Sequence, residues 1–489
     1  MPIFRLMAKL EHKVASGVAW SFSEKLLTML IQMVVSIIVA RELMPEDFGV
    51  MAIMTFFCSV ALTIVDSGFS QALIRKAEPT DEEYSSVLSF NVVTSVILYG
   101  VLVALATPIA RLYEQPVIAD IAPVLFLLLP INSLCVVQTA MFTRELRFKL
   151  LSQIVFSASL ISGVVAIVMA FLGCGIWSLV AQRLLMMGIK AVAFWVVRRW
   201  HSSQRPSMRA LRAMAPFSLR LLVTDLVASI YNNVAQLFIG KVYSTASLGY
   251  YSQAQKLKDL PVLSTIQAVQ GVTYPALSRM ADNRAELSEG YMRIMRMLAF
   301  VIFPAMLIFV AIAPEMFYLL LGAKWMPTVP YFEILALSGL TYPLAVVSYN
   351  ILKVVSDGRV ILRLEIAKRL IMTLVLVYTI PRSIEAVAWG MAAMGVVEFV
   401  MNGVVACRRI DLDMWCVVRV LLPSLLIASV MFGALYILNS HIVHLHVAVH
   451  LAIDIVVAAT IYLALAALFR LRALREGIAL LKGVIGRGV

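Results

Sequence analysis

The few polar residues of this chain fall on lines. Asp225, Ser229, Asn232 and Gln236 recur at three- and four-residue spacing, with Arg220 and Thr224 one turn earlier and Asn233 beside them. Thr55, Ser59, Thr63, Asp66 and Ser70 make a second line, and Glu24, Thr28 and Gln32 a third. Such spacing puts side chains on one face of a helix. In an otherwise apolar sequence those faces cannot meet lipid, where an unpaired polar group is costly, so they face other helices or water. Two such helices brought together would line a hydrophilic cavity. Charges sharpen the point: an ionised residue at mid-membrane costs roughly 2.5 to 3.5 kcal/mol on translocon scales. Glu24 and Lys25 are chain neighbours that do not face each other on a helix, so they need partners elsewhere, and Arg220 and Asp225 are candidates. Lys256, Lys258 and Asp259 form another charged group, and Glu365, Lys368 and Arg369 a third, spaced so that the last two can neutralise the first.

The elements that must hold these residues are membrane helices. Of 489 residues, 62% are hydrophobic and 14% charged, with mean hydropathy +0.92, outside the range of soluble globular chains. Stretches long enough to span a bilayer fall at 14–40, 48–68, 86–110, 117–142, 151–172, 175–197, 214–240, 246–274, 294–321, 328–352, 361–380, 384–406, 415–438 and 447–469. The fold class expected is an all-α polytopic membrane protein of about fourteen spans. The first stretch is too long for a signal peptide and is expected to stay in the protein. Most Lys and Arg residues fall on alternate connections. Only Arg41, Arg111, Lys241, Lys324 and Arg382 lie on the opposite side, which predicts cytoplasmic N- and C-termini. The net charge of +13 is then matched by an anionic leaflet, with no nucleic-acid partner needed.

One segment occurs twice. Ile38-Val-Ala-Arg41, Phe48-Gly49 and Ala72-Leu73 are echoed by Ile239-Gly-Lys241, Leu248-Gly249 and Ala276-Leu277. The offset is 200 residues at the first two landmarks and 204 at the third. A repeat of six spans per copy predicts two lobes related by an axis along the membrane normal, the plan of many secondary carriers. The expected division is an N-lobe over 1–200, a basic cytoplasmic linker over 201–212, a C-lobe over 213–410, and two extra spans with a basic tail over 411–489. No chemistry is assigned to the last part. The five cysteines lie singly, without metal-ligand or disulfide spacing, and His446 and His450, four apart, lack an obvious third ligand, so no metal and no cofactor is expected.

Trp20-Ser-Phe, Ala40-Arg-Glu-Leu-Met-Pro-Glu-Asp-Phe-Gly49, Asp66-Ser-Gly-Phe-Ser-Gln-Ala-Leu-Ile-Arg75, Gly175-Ile-Trp-Ser-Leu-Val180, Leu248-Gly-Tyr-Tyr-Ser252 and Leu321-Gly-Ala-Lys-Trp325, with the stretch from Gly358 to Arg369, resemble the bacterial polysaccharide flippases of the multidrug, oligosaccharidyl-lipid and polysaccharide exporter superfamily. The likeness runs over about residues 14–410 and is greatest to the colanic acid exporter-like branch. After Gly358 the sequence departs from the family pattern. The resemblance implies an inner-membrane flippase that moves an undecaprenyl-pyrophosphate-linked oligosaccharide outward for exopolysaccharide, capsule or O-antigen assembly, alongside the biosynthetic machinery.

That cargo needs cations for its pyrophosphate and hydrogen-bonding groups for its sugars. Lys25, Arg220 and Lys258 are the candidates for the first, and Gln32, Asn232, Asn233 and Gln236, with Tyr231 and Tyr250, for the second. Glu24, Asp66, Asp225 and Glu365 are candidates for coupling to a proton or sodium ion and for gating. Two other classes are weighed. A cation-coupled drug antiporter of the same superfamily would show an acidic, aromatic cavity where this one is cationic. A polysaccharide polymerase or ligase would carry a substantial external loop, whereas the external connections here are about 5 to 15 residues, so no enzyme is expected.

Overall fold

In the computed structural model, residues 27–200, 204–441 and 447–477 are described. Trp20, Glu24 and Lys25 lie outside them. Among the described residues there is no strand, and each of the fourteen predicted stretches falls on a helix or on a broken pair of helices. Eleven candidate spans are long and apolar enough to cross a membrane. Of the other three, the first is described only from residue 27. The second and third carry the charged groups at 256–259 and 359–369, which interrupt their apolar run.

The chain forms two compact units, Met1–Ser252 and Gln253–Val489. The first holds α1 (27–42), α2 (Pro45–Asp66), α3 (Phe69–Arg75), α4 (Asp81–Leu112), α5 (Val117–Leu125), α6 (Leu128–Arg144), α7 (Phe148–Phe171), α8 (Trp177–Val197), α9 (Met208–Val242) and the first turns of α10 (Thr245–Arg279). Local chemistry sets the boundaries. Pro45 occupies the first turn of α2, where its missing N–H is not needed, and the Asp47 carboxylate accepts the Met44 N–H at 3.1 Å. Thr80 and Glu83 cap α4 reciprocally, at 3.3 and 3.0 Å. The predicted span 117–142 is broken into α5 and α6, because Pro130 has no N–H to continue the ladder and the Leu129 N–H turns to the Phe126 carbonyl.

α9 opens the second repeat copy, yet it packs along α2 and so belongs to the first unit. Contact between the start of α2 and the first turns of α10 is registered by the repeat. A Cβ on Gly49 would lie 1.8 Å from the Thr245 carbonyl oxygen, and one on Gly249 would lie 1.9 Å from that of Pro45. Positions 45 and 49 thus touch 245 and 249 reciprocally, at the 200-residue offset read from sequence. Toward the other end α2 stops at Ser67 and Gly68, both left-handed at φ 49 and 69. A Cβ on Gly68 would also stand 2.8 Å from the Ser218 carbonyl oxygen of α9. α2 and α3 together run from 45 to 75, whereas α10 runs unbroken from 245 to 279. The drift of the repeat offset from 200 to 204 is therefore about one additional helical turn.

The second unit holds the rest of α10, α11 (Arg284–Ala311), α12 (Ala313–Leu321), a 3-10 turn (Ala323–Thr328), α13 (Val329–Val355), α14 (Gly358–Thr379), α15 (Ile384–Arg409), α16 (Met414–His441) and α17 (Val447–Leu468). Its most extensive contact, α13 on α15, is made through small residues. A Cβ on Gly395 would meet Thr341 Oγ1 at 3.1 Å and Ser338 Cβ at 3.3 Å, as expected where packing rather than hydrophobicity drives helices together in lipid. Outer faces are apolar and exposed, as at Val96, Val164, Val168, Leu374 and Val377.

Candidate functional site

Polar residues of the first unit form two groups, one between α2 and α9 and one on α8 beside α1, α2 and α6. Ser229 of α9 lies 3.3 Å from Ser59 of α2, oxygen to oxygen, so the two polar lines read from sequence face each other. Asp225, four residues before Ser229, comes close enough to Asp66 for their charges to interact. Asp66 lies beside the Ser70 hydroxyl and backbone N–H. Its Oδ1 is buried without a hydrogen-bond partner. Two carboxylates so placed repel when both are ionised, and a proton or cation shared between them relieves this. Asn233 donates to the Ser229 carbonyl at 2.9 Å, Asn232 is exposed, and Gln236 is half-buried with a partner of its own.

Arg220 stands apart from this group. It is nine residues, two and a half turns, from Ser229, and so points the opposite way. There it shares the exposed apolar side of α9 with Val223, Val227 and Phe238. The cations on the inner side come instead from α8. Arg183 and Lys190, two turns apart, share a face with the buried Leu179 and Phe194, while Val192 and Val196 point outward. Arg183 reaches toward Cys58 of α2, and Lys190 lies beside Cys135 of α6 with its Nζ 5.5 Å from the Phe194 ring centre. Between them, Met186 receives the amide of Gln32 from α1 at 3.8 Å. Among the described residues no carboxylate lies within ion-pair distance of Arg183 or Lys190. The missed signal was in the sequence: a helix whose cations fall on the face opposite its valines.

The second unit has a separate charged cluster. Glu365 bridges to Lys368 and, at 3.8 Å, to Arg369 on the same helix, α14. Lys368 is buried, and its Nζ lies 5.3 Å from the centre of the Tyr349 ring, which Lys353 also approaches at 4.8 Å. Glu398 of α15 faces Lys368 and Arg369, a partner that sequence reasoning did not single out. Lys258 pairs with its neighbour Asp259 at 2.7 Å. Glu365 and Lys258 are thus both neutralised locally, whereas the α8 cations are not. No group of three or more His, Cys, Asp or Glu side chains is gathered as a metal would need, among the described residues.

An all-helical membrane chain with two copies of one motif defines a fold class, and solved structures share that fold. The fold superposes on the lipid II flippase MurJ, in an inward closed conformation, with a TM-score of 0.70, covering 92% of this chain and 98% of that one at 14% identity. It superposes on an inward-facing multidrug resistance MATE transporter of the MOP superfamily with a TM-score of 0.63, covering 78% and 94% at 17% identity. Residues 38–330 match the family of polysaccharide biosynthesis proteins, and the chain belongs to that family. Similar proteins include the teichuronic acid biosynthesis protein TuaB of Bacillus subtilis (strain 168), 25% identical over 68% of this chain and 70% of TuaB. The succinoglycan biosynthesis transport protein ExoT of Rhizobium meliloti (strain 1021) is 26% identical over 66% of each chain. The lipopolysaccharide biosynthesis protein WzxC of Escherichia coli (strain K12) is 21% identical over 68% of each.

Proposed function

We propose that the protein is a flippase that carries an undecaprenyl-pyrophosphate-linked oligosaccharide from the inner to the outer leaflet of a bacterial inner membrane, with both termini cytoplasmic, by alternating access of two repeat-related lobes. The observation that carries this reading is the pair Arg183 and Lys190, without an ion-pair partner among the described residues, on the face of α8 turned toward Gln32 of α1, Cys58 of α2 and Cys135 of α6. A pyrophosphate entering a low-dielectric lumen needs fixed cations without competing carboxylates, and its sugars need donors and acceptors. The polyprenyl tail can remain in lipid. The family and the relatives, among them a succinoglycan transport protein, support a saccharide cargo. The rival antiporter of organic cations calls for acidic residues on that face. Asp66 and Asp225 meet this partly, but we assign them to coupling, where a proton or sodium ion sits between them in one state and leaves in the other.

The test is flux of a labelled undecaprenyl-pyrophosphate oligosaccharide into proteoliposomes. Wild type should give protein-dependent flux. Arg183→Gln, which removes a charge-assisted contact worth about 1.5 to 3 kcal/mol, should weaken it about 10- to 100-fold, while Arg220→Gln should leave it within about twofold. The opposite order would return the phosphate site to Arg220. Flux of organic cations, with none of the lipid-linked sugar, would establish the antiporter.

A further inference from the structure

The appended helices α16 and α17, which the repeat does not explain, carry a buried polar cluster of their own. His450 of α17 is 8% exposed and Asp454, one turn on, is fully buried. His450 Nε2 lies 3.8 Å from Asp454 Oδ2, and His450 Nδ1 lies 3.9 Å from Glu315 Oε1 of α12. Both ring nitrogens thus face a carboxylate, from two different elements. Asp454 Oδ2 and Glu315 Oε2 are buried without a hydrogen-bond partner. Asn439 of α16, with its amide nitrogen turned to the acceptors, donates to Asp454 Oδ1 at 2.8 Å. Glu333 of α13 adds a further negative charge next to Glu315.

A neutral imidazole has one N–H and one lone pair, so in this setting it can satisfy one carboxylate and must present a lone pair to the other. Only the imidazolium could donate to both, each separation of 3.8 to 3.9 Å closing to hydrogen-bond length as it does so. Without it, two or three carboxylates face each other where charge is poorly solvated. We propose that His450, Asp454 and Glu315 form a proton-binding site at the contact of α17 with α12, and that the bound proton, carried by His450 between the two carboxylates, fastens the appended helix pair to the second unit. With the orientation proposed above, the site lies toward the outer side of the membrane, so its occupancy follows external pH. Neither Asp66 nor Asp225 is involved, and the site stands whether or not the cargo is a lipid-linked sugar.

Nitrogen NMR of the full-length protein in nanodiscs, labelled at histidine, tests this without any transport assay. The His450 signal is identified by its loss in His450→Gln. In wild type at about pH 7 it should report a ring protonated at both nitrogens. Asp454→Asn and Glu315→Gln should each convert it to a neutral tautomer at that pH. A neutral ring in wild type, or an imidazolium that survives both substitutions, would overturn the proposal. Thermal unfolding gives a second reading should a variant fold poorly in nanodiscs. Wild type should lose stability on going from about pH 6 to about pH 8, the window in which an imidazole changes charge, and His450→Gln should show a flat profile there; a wild-type profile as flat as that of the variant would also sink the idea.

Discussion

At the scale of the residue, the question is which charges are free to serve cargo and which are already used. Glu365, Lys368, Arg369 and Glu398 neutralise one another, and Lys258 holds Asp259, so removing one leaves its partner's charge uncompensated in a poorly solvated place and costs stability as well as function. Lys368→Met should therefore lower the thermal unfolding temperature, and Lys368→Met combined with Glu365→Gln should recover part of the loss. No recovery in the double variant would mean the pair is not the unit. The two carboxylates Asp66 and Asp225 predict something different. If they share a coupling ion, Asp66→Asn should leave cargo binding within about threefold, yet abolish the dependence of flux on an imposed proton or sodium gradient; gradient-driven flux that persists in Asp66→Asn and in Asp225→Asn would clear both residues of that role. Sequence spacing put these residues on polar helix faces, because polar residues at helical period in an apolar chain have few places to go, but it did not show that α2 would be the helix meeting α9. It put Arg220 in the same group, for nearness in sequence rather than angle, and it passed over Arg183 and Lys190 because neither belongs to a polar line.

At the scale of the element, the informative contact is the reciprocal one between 45 and 49 and between 245 and 249. The spans, the repeat and its offset were legible in the sequence because apolar length and self-similarity survive in one dimension. The use of the repeated glycines was not, since it depends on which backbones approach. Gly49 and Gly249 are helical and need no unusual backbone angle; they are glycine because a carbonyl of the other copy fills the place of the side chain. A single methyl at either position would meet backbone, which cannot move aside as a flexible side chain can. Gly49→Ala should force the ends of α2 and α10 apart, lowering the unfolding temperature by several degrees and cutting flux at least tenfold. Gly100→Ala in α4 is the matched control, because nothing lies within 4 Å of the added carbon. There the substitution should be neutral or stabilising by about 0.5 to 1 kcal/mol, the helix-propensity gain alone. Equal behaviour of the two variants would show that the crossing at Gly49 is loose.

At the scale of the whole molecule, charge decides orientation, and two native cysteines can report it. The ion pairs outside the spans lie on connections assigned to one side: Lys76 with Glu83, Arg147 and Arg198 with Glu145, and Arg284 with Asp411. Arg284 and Asp411, both exposed, make a solvated pair of the kind that contributes about 0 to 1 kcal/mol, so it does not explain the fold. The cationic surplus around these pairs is what an anionic inner leaflet retains during insertion. Cys58, Cys135 and Cys407 are buried, leaving Cys174, in the connection between α7 and α8, and Cys416, in the first turn of α16, for a reagent to reach. The proposed topology puts these two on opposite sides of the membrane. A membrane-impermeant maleimide added to intact spheroplasts should label Cys174 at once and Cys416 only after permeabilisation, and Cys174→Ser should remove the external signal. Labelling of Cys416 from outside would invert the protein. The polar face bearing Arg183 would then take its cargo from the wrong leaflet for export, and the flippase reading would have to yield to an importer or to an exchange without direction.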